Sequence, residues 1–420
     1  MANIIMRITA ELVGSWRAGT GGHVRDELDH RDRCAIVGIG ATDFSRDSGR
    51  SDLTLATQAS LAAIEDAGLA VQDIDGIVRC DMDLVSHADL AESLGIDELT
   101  YWGETGPGGV APCAQVAQAV AAVLSGQATN VLVFRSINGR SGRRLGQANT
   151  ETTGTEVVGG GVSWDEWFNP YGLLTAGQVF ALMAQRHMAE YGTTSEHLGH
   201  IALTCRERAN ANPAAQMRDR KLTMDDYLAA RVISSPLRLF DFCLESDAAC
   251  AVVVTTTERA KDLRQRPAVI RAVAQASIPR PQGGDMYPVL MRSSITQLPA
   301  TNVARLLYRR AGIGPEDVDV AQLYDCFTIT VLMQLEDWGF CAKGEGGPFA
   351  ASGALGLTGS LPINTGGGHL SEGYVHGMNH VVEGVRQIRG ESSNQVPGAE
   401  TCLVACTPLP PGSAILLRAA

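Results

Sequence analysis

Two stretches of this chain gather residues whose types could do chemistry. Tyr324 sits in Leu323-Tyr324-Asp325-Cys326-Phe327-Thr328, where an apolar run passes into a helical one. Tyr374 sits in Asn364–Gly377, which reads Asn-Thr-Gly-Gly-Gly-His-Leu-Ser-Glu-Gly-Tyr-Val-His-Gly. Phenols can act as general acid and base, although an ordinary phenol pKa of about 10 is poorly matched to neutral pH. His369, His376 and His380 are close enough in sequence to relay protons, and equally fit a surface loop. The N–H groups of Gly366, Gly367 and Gly368 are candidate donors to a developing oxyanion, and Asp325 is a candidate substrate contact. A glycine cluster taken alone equally marks a flexible loop.

Asn364–Gly377 resembles a loop of the thiolase superfamily, in the branch related to sterol carrier protein x. There Asn-x-x-Gly-Gly precedes a Gly-His-Pro whose histidine is catalytic, and Tyr374 occupies that histidine's place. Tyr324 stands where the branch has the histidine of His-Asp-Cys-Phe and other thiolases the Asn of Asn-Glu-Ala-Phe. The acyl-accepting cysteine maps onto Val110, which cannot be a nucleophile. Cys113, three residues on, would serve only if the loop register shifted. Cys406 resembles the second thiolase cysteine, which moves a proton at the α-carbon, but Pro408-Leu409-Pro410-Pro411 replaces the family's glycine run.

The paired tyrosines, with Gly-His-Leu-Ser-Glu-Gly-Tyr-Val-His-Gly, are similar to the thiolase-like aldolases of bacterial steroid side-chain degradation. The resemblance implies retro-aldol cleavage of a bulky β-hydroxyacyl-CoA to a ketone and propionyl-CoA, without an acyl-cysteine. It implies acyl-CoA as substrate with no metal or organic cofactor. It also implies a homodimer core joined, in a heterotetramer, to an acyl-CoA-binding partner with an OB-fold and a zinc ribbon. A catalytically silent acyl-CoA-binding or scaffold subunit is the rival reading. The paired phenols argue against it, since a scaffold has no need of them.

The elements that must position these residues alternate. Cys34–Gly40 reads as a buried strand and is followed by a helix capped at Ser51 or Asp52 and closed by Gly68. Asp73–Val78, Asn130–Phe134, Ser246–Thr257, Ala268–Val273, Val318–Tyr324 and Gly412–Arg418 read as strands. Pro112–Leu124, Gly177–Tyr191, Ser195–Asn212, Asn302–Ala311 and Thr328–Trp338 read as helices, with another starting near Gly377. Strand, helix and strand in succession imply an α/β protein with a covered sheet. The second half repeats the first in outline, with Ser246–Ala249 and Gly412–Ile415 in equivalent places. The resemblance implies a duplicated five-layer α/β/α/β/α fold. Its halves fall at 33–258 and 259–420, with an inserted cap near 136–240 that includes the Gly-rich stretch Gly154–Gly172, and an N-terminal extension over 1–32. Gly38 and Gly40 lack the third glycine and the acid of a dinucleotide loop, which removes that reading.

Composition bounds the rest. The 420 residues suffice for a large core, and the 45% apolar and 19% charged fractions are those of an ordinary globular protein. A net charge of −12 argues against a nucleic-acid surface. Arg140, Arg143 and Arg144 form one basic cluster, read as a solvated face rather than a phosphate contact. The ten cysteines include no Cys-x-x-Cys pair or zinc-ligand spacing. They fit buried thiols in a reducing, cytoplasmic compartment. No apolar run has the length of a membrane span, and the first residues lack a signal-peptide pattern.

Overall fold

A computed structural model of the chain describes residues 30–142, 144, 168–279, 289–290 and 292–420. The expected extension up to residue 29, Arg143 and most of the Gly154–Gly172 stretch lie outside the described residues. Strand β1 (Cys34–Ala41) is largely buried, as its apolar run requires. Its two glycines have a packing role. A Cβ at Gly38 would stand 2.0 Å from the Ala63 carbonyl oxygen, and one at Gly40 2.1 Å from that of Ala59. Helix α1 (Asp52–Ala67) can therefore lie directly on the strand. Ser51 caps it by accepting from the Thr54 N–H, and Gly68 closes it in the left-handed conformation.

Strand β2 (Gly76–Cys80) starts later than its sequence suggests, because Val71–Asp73 winds into a 3-10 turn. Helix α2 (His87–Leu94) and strand β3 (Tyr101–Thr105) are additions to the sequence reading. Then come α3 (Ala111–Leu124), β4 (Val131–Asn138), α4 (Ala176–Tyr191) and α5 (Ser195–Ala211). A small hairpin of β5 (Val232–Ser234) and β6 (Leu237–Arg238) precedes β7 (Asp247–Thr256). The remaining chain forms β8 (Ala268–Ala276), α6 (Ala300–Ala311), β9 (Val320–Leu323) and α7 (Thr328–Asp337). Helix α8 (Met378–Arg389), β10 (Thr401–Cys406) and β11 (Gly412–Arg418) complete it.

Nine strands are joined in the order β3-β2-β4-β7-β1-β8-β11-β10-β9. From either edge inward, β2-β4-β7-β1 and β9-β10-β11-β8 show the same parallel, antiparallel, antiparallel pairing. The halves meet where Cys34–Ile36 of β1 pair with Ala268–Ile270 of β8. As β3 lies parallel beside β2, Ile363 makes a parallel bridge to Ala321 of β9. Ser246–Ala249 and Gly412–Ile415 thus open equivalent strands. Helices α3 and α8 pack between the two halves, α1 covers the outside of the first and α6 that of the second. This is the α/β/α/β/α layering that the resemblance implied.

All ten cysteines are free, and among the described residues no helix is long and apolar enough to cross a membrane. In the basic cluster, Arg144 and Arg140 both face Glu245, at 2.5 and 3.8 Å. The Asp32 carboxylate clips Arg271 and Arg418 at 2.5 and 2.7 Å, tying the start of the described chain to the second half.

Gly40→Ala should cost at least ~1–3 kcal/mol, since the new methyl meets helix backbone and the rigid Ala62 Cβ rather than a side chain that can swing away. Urea unfolding should show a lower midpoint at an unchanged slope. An unmoved midpoint would mean that α1 does not sit so close to β1.

Candidate active site

Tyr324 leaves the end of β9 and Tyr374 comes from the glycine-rich loop ahead of α8, and their hydroxyl oxygens are 2.8 Å apart. The rings stand nearly perpendicular, at 76°. Tyr324 is buried, whereas Tyr374 is partly open. Burial, reinforced by the neighbouring Tyr374, pushes the Tyr324 phenol well above its ordinary range. Burial and then Cys243 and Cys326 push Tyr374 the same way, while the hydrogen bond from Tyr324 and the Arg135 charge pull it back. Both phenols are therefore protonated at neutral pH.

A short list of contacts sets this pair in place. A Cβ at Gly109 would lie 2.0 Å from the Tyr324 Oη, so the turn Gly108–Val110 is shaped to receive the phenol. Asn364 adopts φ 44° and uses its amide as an extra strand residue, accepting from the Leu323 N–H (2.7 Å) and donating to the Leu323 carbonyl (3.0 Å). Asp325 then fastens the rest of the loop. Its carboxylate accepts from the His369 and Leu370 amides at 2.8 and 3.1 Å and lies 2.9 Å from the His380 Nε2. Burial alone would raise its pKa, but His369, His380 and the hydrogen bonds hold it at about 2.

These contacts correct several expectations. Asp325 is fully buried with its oxygens occupied, so it anchors the loop and does not face a substrate. The Gly367 N–H donates to the Asn364 carbonyl at 2.8 Å and is not free for an oxyanion. Gly367 packs on Ala209 of α5, and a Cβ at Gly368 would stand 2.2 Å from the Asp325 carboxylate. The glycine run is thus shaped by packing. Asp325, His369 and His380 lie close enough to hold a metal ion. However, the Asp325 Oδ1 already receives the His369 amide and faces the His380 Nε2, so the cluster fits a hydrogen-bond hub better than a ligand set.

The three histidines differ. His369 is fully buried and its ring stands edge-on to both phenols, at 4.6 and 4.9 Å. Its Nδ1 lies 3.2 Å from the Asp325 Oδ1 but off the line of a good hydrogen bond. Burial and the nearby His380 push it down to about 3. His376 lies edge-on to Tyr374 at 5.1 Å, and its Nδ1 receives the Arg135 Nε and Nη2 at 3.2 and 3.0 Å. A guanidinium only donates, so that nitrogen cannot pick up a proton, and the expected proton relay through His376 is ruled out.

Val110 occupies the turn before α3, where its carbonyl accepts from the Ser413 hydroxyl of β11. Cys113 is fully buried and aims its thiol at the Val404 carbonyl (3.4 Å), with the Cys406 Sγ 3.7 Å away. Burial and Cys406 raise it well above an ordinary thiol, which removes it as a nucleophile. Cys406 and the Tyr324 ring flank Gly377, where a Cβ would be 3.0 and 3.2 Å from them.

Comparison with known proteins agrees with this geometry. Residues 282–408 match the family model of the thiolase C-terminal domain. The 17-hydroxy-3-oxo-4-pregnene-20-carboxyl-CoA lyase of Mycobacterium tuberculosis is 44% identical over 92% of this chain and 99% of its own. The steroid side-chain-cleaving aldolase of Thermomonospora curvata is also 44% identical, over 92% of this chain and 97% of its own. The chain belongs to the thiolase superfamily, in its side-chain-cleaving aldolase branch. A solved Ltp2-ChsH2(DUF35) aldolase superposes with a TM-score of 0.86 at 43% identity, covering 93% of this chain and 98% of that one.

Sequence reasoning missed Arg135 and Asp83 of this thiolase-like protein. The available signal was a lone arginine ending the apolar run Val131–Phe134 of β4. Glu372 was also passed over. Burial and then Glu383 push its carboxyl up to about 7, and it accepts from Asn212 and Asn379.

The buried His369 gives a test of pH dependence. The folded chain keeps it neutral to about pH 3, while an unfolded chain protonates it near 6.5. Stability from this group is lost as pH falls through that window, by roughly 1.4 kcal/mol per unit. Glu372 acts in the opposite sense between about 7 and 4.5, because the folded form holds its proton longer. The difference between wild type and His369→Gln therefore isolates the histidine, and the variant should lose less stability on acidification. Parallel curves would show that His369 takes up its proton as readily in the folded as in the unfolded chain.

Proposed function

We propose that this protein cleaves a steroid β-hydroxyacyl-CoA by a retro-aldol reaction, giving a ring ketone and propionyl-CoA. The observation that carries the reading is the phenol pair, 2.8 Å from oxygen to oxygen, packed against a turn whose nucleophile position is valine. The name of the Mycobacterium tuberculosis relative places a hydroxyl on carbon 17 and the thioester on carbon 20. The hydroxyl is then β to the thioester carbonyl. Breaking the bond between carbons 17 and 20 leaves a ketone on the ring and a three-carbon acyl-CoA.

The reaction requires no net proton gain. The hydroxyl gives up one proton and the α-carbon of the departing enolate takes one up. Two hydrogen-bonded neutral phenols suit this transfer. One accepts the hydroxyl proton while passing its own to the other, and the second delivers its proton to the α-carbon in the same concerted event. The electrons of the breaking carbon–carbon bond thus end in the new C–H bond, their charge shared on the way with the thioester oxygen. No free tyrosinate is needed, which fits two phenols that burial holds protonated. Negative charge that builds during the transfer is better tolerated on Tyr374, which feels Arg135 and shares a hydrogen bond with Tyr324. All of these steps use this chain's own groups, with acyl-CoA as substrate.

A complex with an OB-fold and zinc-ribbon acyl-CoA-binding partner, built on a homodimer core, fits the resemblance to the Ltp2-ChsH2(DUF35) assembly. Ten free cysteines support a reducing, cytoplasmic setting.

Tyr324→Phe and Tyr374→Phe, each purified with its partner, should lower kcat by ~10²–10⁴. The double variant should be little worse than the poorer single one, since a relay is lost with either phenol. Wild-type binding without cleavage would turn the reading to a silent subunit. Independent, multiplying losses would rule out a shared relay.

A further inference from the structure

The relay above leaves one requirement unmet, a donor for the thioester oxygen that becomes the enolate. His376 has a geometry that no proton-transfer role explains. Its backbone sits at φ 51°, a left-handed conformation that costs a side-chain-bearing residue of order 1 kcal/mol or more. The ring is held by Arg135 of β4, whose Nε and Nη2 both point at Nδ1. Arg135 is itself buried and pinned by an ion pair to the buried Asp83 and by the Ser136 carbonyl at 2.6 Å. Asp83 is fixed in turn by the Cys80 and Ser136 amides at 2.8 and 3.0 Å.

A ring whose Nδ1 accepts from a guanidinium has one available state. It is neutral, and its single proton is on Nε2. Among the described residues none accepts a hydrogen bond from that nitrogen; the contacts to the ring are those at Nδ1. The ring borders the turn that also receives the Tyr324 phenol: its Cε1 would be 3.5 Å from a Cβ at Gly108, and the next residue, Gly109, lies against the Tyr324 Oη. A fixed N–H on a ring that stands edge-on to Tyr374 at 5.1 Å, and that neither gains nor gives up a proton, has the character of an oxyanion donor.

The geometry points to His376 Nε2–H as the hydrogen-bond donor to the thioester oxygen of the acyl-CoA, with Arg135 and Asp83 as the positioning pair that fixes its tautomer. This rests on the retro-aldolase reading for the reaction it serves. The proton on Nε2 stays there throughout. The bond it makes strengthens as the carbonyl oxygen takes up the electron pair from the broken carbon–carbon bond, and relaxes when the α-carbon is protonated. Burial, with Arg135 second, holds the ring's pKa well below the ordinary histidine range, in accord with a permanently neutral donor.

Three readouts test the assignment on the intact complex. Long-range proton–nitrogen correlation spectra of histidine-labelled protein, with the signal assigned by its loss in His376→Gln, should show the neutral Nε2-protonated form from about pH 5 to about pH 8. An imidazolium, or the Nδ1-protonated form, overturns the proposal. Arg135→Lys, which keeps a charge for Asp83 but loses the two-pronged contact, should mix the tautomers; an unchanged signal removes Arg135 as the positioning residue. In the second readout, the thioester carbonyl stretch of a bound steroid acyl-CoA without the β-hydroxyl should lie lower in wild type than in His376→Leu, and should stay low in Tyr374→Phe. An identical stretch in wild type and His376→Leu defeats the assignment. Finally, His376→Leu should lower kcat by ~10²–10³ with KM little changed, and His376→Gln, which restores an N–H donor, should recover at least ~10-fold. Equal losses in the two variants would contradict a donor role. If wild type cleaves no steroid acyl-CoA, the proposed function fails, while the tautomer and carbonyl readouts still decide the role of His376.

Discussion

The Asp325 carboxylate is the interaction on which the rest of the site depends. A buried anion is tolerated only when its oxygens are fully engaged, and here two backbone amides and a histidine engage them. Those amides belong to the glycine-rich loop, and Asp325 follows Tyr324 directly. One carboxylate therefore fixes the loop that carries Tyr374 against the strand end that carries Tyr324. The close packing of Gly368 follows from the same contact, because a side chain there would stand where the carboxylate must be.

A valine in the place of the family's nucleophile goes with a different use of space. In the turn before α3 the side chain at 110 is an alkyl group, and the room beside it at Gly109 is filled by a phenol oxygen. Cys113 and Cys406 remain as packed thiols between the halves. The loss of one reactive sulfur thus goes with a coordinated change at three places: the turn, the end of β9 and the glycine-rich loop. This coordination separates a changed mechanism from simple decay.

Much of this was legible in the sequence for definite reasons. Long apolar runs such as Val131–Phe134 and Ala-rich helices such as α3 carry their period openly, and the tyrosines stood out because their surroundings kept a family pattern. Strand β3 was missed because a five-residue edge strand with exposed Trp102 and Glu104 shows no apolar run. Helix α2 had readable ends, a Ser86–Asp89 capping box and Gly95, but little apolar surface between them. Gly366 to Gly368 suggested anion donors, and the packing of Gly367 against α5 and of Gly368 against Asp325 depends on contacts distant in sequence. Arg135 and Asp83 were hidden for the same reason. Their importance lies in a partner, His376, more than two hundred residues away.

The site straddles the join between the duplicated halves. Gly109, Asp83 and Arg135 come from the first, while Tyr324, Tyr374 and His376 come from the second. Val110 and Ser413 lock the same boundary from behind. The two halves of the sheet therefore act like the jaws of a gauge, and the gap they hold is set by the fit of Gly109 to the Tyr324 oxygen. Reaction rate in such a molecule reports the setting of the jaws. Anything that grips both halves at once tunes the chemistry without ever meeting the substrate.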